Sequence, residues 1–194
     1  MVNELYAEHK VQAIDEFTLE RLQAFYLANS RVMRPAVDAI QEGGRLRAAG
    51  HRSAALVFFV TAIEVLLKAT ILEPVVHGLV HRQALAEVIV NQVFNGASGY
   101  VRYRKLLARL FAEYAGMEVD SIVRDGAKES LLSECSNLQT VRNRIVHQGE
   151  TCTEEQAELG NVVAIAVYEK IVKRVLHALE LTVIEDGEIT KKWW

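Results

Sequence analysis

The segment Asn137-Leu138-Gln139-Thr140-Val141-Arg142-Asn143-Arg144-Ile145-Val146-His147-Gln148-Gly149 holds the side chains with the greatest chemical capacity in this 194-residue chain. Arg142 is a permanent cation whose planar fork of donors suits phosphate oxygens. His147, five positions on, exchanges protons near neutral pH. Asn143 adds a neutral donor and acceptor beside the cation. Together they make a minimal set for breaking a phosphodiester without a metal. The looser pattern, Arg then His with four to six residues between, is common, since Arg45 and His51 match it with five residues between. Cations near a helix C-terminus also complement the helix dipole, which is a purely structural reading of the same residues.

These side chains need a scaffold, and the sequence predicts helices throughout. Asp15 to Asn29 carries Phe17, Leu19, Leu22, Phe25 and Tyr26 at close to a 3.6-residue period. Pro35 suits a first turn, so a second helix starts near Arg34 and ends at Gly43-Gly44 or near Gly50. Ser53 is suited to cap a third helix, Ala54 to Glu73, which Pro74 should stop. Further helices are expected over 81–94 and 100–115, with an irregular stretch over 116–126. The motif closes a helix from Lys128 to Val146, ended by Gln148-Gly149. Thr153 and Gln156 match a capping box that opens a last helix to about Leu181. Asp186-Gly187 between two short alternating runs is a hairpin signal. The expected architecture is an all-α antiparallel bundle in a single domain, with a short C-terminal hairpin.

Composition agrees with a packed helical domain: 51% of residues are hydrophobic, with 2 Pro and 11 Gly. Two cysteines, Cys135 and Cys152, give neither a disulfide framework nor metal-ligand spacing, which points to a reduced, cytoplasmic setting. The first residues lack the basic and then apolar run of a signal peptide. The apolar run Ala54 to Leu72 is long enough for a membrane span, but Glu64 and Lys68 sit within it, and a charged pair at a bilayer centre is costly. A buried core helix follows, and no membrane partner. A net charge of −3 argues against tight, broad nucleic-acid binding by bulk electrostatics, while leaving room for an enzyme that touches a few phosphates.

The Arg142-Asn143…His147 pattern, closing one helix before a capped last helix, resembles the catalytic motif of the HEPN superfamily. The stretch from His51-Arg52-Ser53 to Glu64, Lys68 and Ala69 is similar to that family's early core helix, and the likeness spans about residues 34 to 180. It implies a metal-independent endoribonuclease, a toxin or antiviral-defence effector, acting as a homodimer with a composite site. His147 would be general acid or base, and Arg142 would neutralise charge on the phosphorus oxygens. Asn143 would orient the pair or hold a phosphate oxygen. The RNA 2′-OH would be the nucleophile, giving a 2′,3′-cyclic phosphate and a 5′-OH. Glu64 would face Arg142, although Lys68 on its own helix is an equally good partner. The alternative is a HEPN-fold interaction module without catalysis, binding a nucleotidyltransferase, an antitoxin or another defence component. Some HEPN toxins carry a tyrosine two residues after the histidine, where a partner nucleotidyltransferase modifies it. Here that position is Gly149, which removes that mode of control.

Other basic residues admit RNA contact. Arg102, Lys105 and Arg109 fall on one helical face among tyrosines, and Arg144 lies inside the motif. A solvated helix face is the plainer reading of them. Arg45, Arg47, His51 and Arg52 form a second cluster, again readable as a solvated turn. His77 and His81 are four apart but lack a third ligand, so neither metal nor other cofactor is expected. Trp193 and Trp194 form an aromatic pair suited to fold onto the bundle or dock a partner.

Overall fold

The computed structural model describes residues 17, 19–79, 112 and 116–192. Within them the chain is mostly helical, with five helices and one small hairpin. Helix α1 covers 19–28. Helix α2 is Arg34–Ala48, with Pro35 in its first turn. Helix α3 opens as Arg52–Leu67, widens into a π turn at Lys68–Leu72, and continues as Glu73–Leu79. Helix α4 is Leu131–Gln148. Helix α5 starts as Glu154–Val167, widens at Tyr168–Val172, and ends as Lys173–Ala178. The helices expected over 81–94 and 100–115 lie outside the described residues, as do Trp193 and Trp194.

Helix α3 is the centre of the bundle. Its first stretch buries Ala55, Leu56, Phe59, Val60, Ala62, Ile63, Leu66 and Leu67, so it is apolar almost all round, as a core helix must be. Over Arg52–Leu72 it is long and apolar enough to cross a membrane by length and composition, yet 61% of its most apolar window is buried inside the fold. Residue pairs set the helix directions. A Cβ on Gly43 of α2 would lie 2.6 Å from Phe59 Cε1, so α2 and α3 run antiparallel about the turn at 49–51. Gln139 meets Glu64, and the Cys152 N–H meets Ser53, so α4 runs antiparallel to α3. Arg52 meets Glu154, and Gly160 faces Leu56, so α5 runs alongside α3 in the same direction.

Several local expectations are corrected. Pro74 does not stop α3. Proline lacks the N–H that would bond to the carbonyl four residues back, here Thr70, and its ring crowds that carbonyl. The wide turn at Lys68–Leu72 accommodates the ring, and the Tyr26 hydroxyl donates to the Thr70 carbonyl at 2.6 Å in the place of the missing N–H. Ser53 does not cap α3. His51 occupies that position, and the Ser53 hydroxyl accepts the Cys152 N–H at 3.1 Å instead, tying the α4–α5 loop to α3. Phe17 is exposed rather than part of the α1 stripe, with Arg21 over its ring, while Leu22 and Tyr26 are buried. The last helix ends at Ala178, and Leu181 already belongs to a strand.

The capping box at Thr153 is formed in full, with Thr153 and Gln156 bonding each other's backbone. The hairpin also forms: β1 (Leu181–Val183) pairs antiparallel with β2 (Ile189–Lys191). So small a hairpin needs support. The Ile189 N–H bonds the Ser30 carbonyl at 2.8 Å, and Asp186 takes an ion pair from Arg34 at 3.1 Å. The segment 116–130 packs Met117 and Val119 into the core. Arg124 holds it there, with its Nε 2.9 and 3.0 Å from the two oxygens of the mostly buried Glu134.

Candidate functional site

Helix α4 brings the motif to one end of the bundle. Ser130 caps its start by accepting the Ser133 N–H, and Gly149 ends it at φ +71°, a conformation that glycine adopts without the steric penalty of a Cβ. Leu131, Cys135, Leu138, Arg142 and Ile145 follow one another at alternating four- and three-residue steps. That spacing is the core-facing row of a packed helix. Leu131, Cys135 and Leu138 are fully buried in it. Arg142 therefore stands where the pattern asks for an apolar side chain.

The surroundings of Arg142 are unusual for a cation. It is half-buried, and its Nη1 donates to Asn143 Oδ1 at 3.1 Å. Its Nε is buried without a hydrogen-bond partner among the described residues. No ion pair among the described residues includes it. Withdrawing a charged donor from water with no counter-charge is destabilising. Glu64, expected opposite Arg142, instead accepts the Gln139 Nε2 at 2.9 Å. Lys68 lies in the π turn, half-buried, and has a partner of its own.

His147 is exposed in the last turn of α4. Five residues along a helix turn the chain about 140° and raise it about 7.5 Å, so Arg142 and His147 do not share a face. Within one chain the fold does not bring them together. Asn143 is brought to Arg142, and Gln139 to Glu64. Gln139 is the residue that sequence reasoning missed. A polar side chain one turn before Arg142, on the α3-facing side of the helix, was its signal.

The remaining candidates are mostly neutralised. Arg144 pairs with Glu150 at 3.5 Å, an exposed pair of small energetic weight. In the second basic cluster, Arg45 pairs with Glu42 at 2.7 Å, Arg52 with Glu154 at 2.8 Å, and Arg47 with Glu158. His77 stacks on the Phe25 ring at 5.3 Å between centroids. Arg102, Lys105, Arg109 and His81 lie outside the described residues. Among the described residues no three His, Cys, Asp or Glu side chains gather to hold a metal ion. Two cavities of about 340 and 450 Å³ lie elsewhere. The first, apolar, is bounded by α2, α5 and the hairpin; the second lies beside Arg124 and Glu158. Neither is lined by Arg142, Asn143 or His147.

No family model, curated protein or solved structure matches the chain.

Proposed function

We propose that this protein is a metal-independent endoribonuclease of HEPN type, active as a homodimer. The observation that carries the reading is Arg142. A guanidinium set in a core-facing row, half withdrawn from water and held by Asn143, has no carboxylate partner among the described residues. A cation so placed gains most when an anion arrives, and a phosphate oxygen suits its fork of donors. His147 stands exposed at the helix end, free to reach a scissile phosphate. Two α4 ends meeting across a two-fold axis would set the histidine of one copy against the arginine of the other. In that cleft the 2′-OH attacks phosphorus as the P–O5′ bond breaks, His147 takes the 2′-OH proton or gives one to the leaving 5′-oxygen, and Arg142 takes the charge on the non-bridging oxygens, leaving a 2′,3′-cyclic phosphate and a 5′-OH. A role in toxin or antiviral systems belongs to the same proposal.

A second reading, the non-catalytic interaction module, is favoured by the net charge of −3 and by the separation of His147 from Arg142 within one chain. RNA cleavage in excess EDTA decides between them, with wild type beside His147→Ala and Arg142→Ala and the product ends identified. The enzyme reading expects 2′,3′-cyclic phosphate ends from wild type alone. It also expects His147→Ala to melt within about 1 °C of wild type, because exposed substitutions rarely move stability. No cleavage, or cleavage that both variants retain, transfers the reading to the module.

A further inference from the structure

Gln139 precedes Arg142 by three residues, so the two side chains are neighbours on α4. Gln139 is only 5% exposed and donates its Nε2 to Glu64 Oε1 at 2.9 Å. A carboxylate only accepts, so the amide must turn its NH₂ toward it. Glu64 is thereby fastened one turn short of the guanidinium. No ion pair joins it to Arg142, whose Nε stays buried and unbonded among the described residues.

We infer that Gln139 is a positioning residue that keeps Glu64 from neutralising Arg142, and so leaves the guanidinium open to a phosphate oxygen of RNA. The ligand in this inference rests on the ribonuclease reading; the separation of Glu64 from Arg142 does not. A carboxylate released from Gln139 has two cations within a turn, Arg142 beside Gln139 on α4 and Lys68 on its own helix, and Lys68 already has a partner of its own. Charge-assisted bonds are roughly twice as strong as neutral ones. The internal pair would then compete with any external anion. If nine in ten molecules were paired internally, anion affinity would fall about tenfold.

The test compares wild type, Gln139→Met, Glu64→Gln and the double variant Gln139→Met/Glu64→Gln. Binding is measured with a labelled 2′-O-methyl oligoribonucleotide, which lacks the nucleophile for cleavage, at low fixed salt. Gln139→Met should bind about tenfold more weakly, and the double variant should recover wild-type affinity, because no carboxylate remains to compete. A mere packing role for Gln139 would give no recovery. A second readout needs no RNA: the coupling between Glu64→Gln and Arg142→Gln in melting temperature. It should be absent in wild type and appear in the Gln139→Met background. Unchanged binding in Gln139→Met, a double variant as weak as the single, or equal coupling in both backgrounds overturns the inference. Failure of wild type to bind the oligonucleotide overturns the ribonuclease reading instead, and the coupling measurement still decides the role of Gln139. If Gln139→Met does not fold, Gln139→Leu takes its place.

Discussion

Removing the Tyr26 hydroxyl tests how the central helix passes through Pro74. Tyr26 and Thr70 are both 0% exposed, and the phenol donates to the Thr70 carbonyl at 2.6 Å. Pro74 supplies no N–H to that carbonyl. Tyr26→Phe keeps the ring and strands a buried acceptor, which costs about 2 kcal/mol. For a chain of this length that lowers the melting temperature by about 4–8 °C. Urea unfolding should show an earlier midpoint at an unchanged slope. Pro74→Ala returns an N–H to the helix. In the Tyr26→Phe background it should recover about 1 kcal/mol relative to additivity. The phenol adds a pH signature. Burial pushes the Tyr26 pKa far above its ordinary value, so the folded state keeps a proton that the unfolded state releases above about pH 10. The wild-type advantage over Tyr26→Phe is therefore full below pH 10 and shrinks by about 1.4 kcal/mol by pH 11. A Tyr26→Phe protein within about 0.5 kcal/mol of wild type, or strict additivity with Pro74→Ala, would refute the account.

Two adjacent glycines should respond in opposite directions. A Cβ on Gly43 would sit 2.6 and 2.8 Å from ring atoms of the buried Phe59, so Gly43→Ala should lose about 1–2 kcal/mol in urea unfolding despite its better helix propensity. Gly44 has nothing within 4 Å of its Cβ position, so Gly44→Ala should gain about 0.5–1 kcal/mol. Glu134→Gln breaks the fork that Arg124 makes with both carboxylate oxygens. A loss of about 2–3 kcal/mol is expected, with amide exchange rising first over 116–130; uniform exchange would argue that Arg124 does not anchor that segment.

Local rules read from the sequence describe much of this fold. The start of α2 at Pro35, the box at Thr153 and Gln156, the glycine after α4 and the Asp186-Gly187 hairpin all appear where their chemistry predicts. Each depends on groups within a few residues of one another, so the chain carries the information locally. Pro74 is the counterexample. Its rule was sound for an isolated helix, but a tyrosine 48 positions earlier supplied what the proline lacks, and no local pattern records such a partner.

The site divides the same way. Sequence alone determined that an arginine, an asparagine and a histidine end one helix, and helical geometry alone kept the arginine and histidine off a common face. Tertiary structure decided which carboxylate meets which donor. Glu64 went to Gln139 across the α3–α4 interface, and Arg142 kept only Asn143 among the described residues. The physical reason is register. Where two antiparallel helices settle against each other is fixed by the shared core, in which Val60 and Ile63 of α3 and Cys135 and Leu138 of α4 are buried together. A shift of one turn would exchange the partners of every polar group between them.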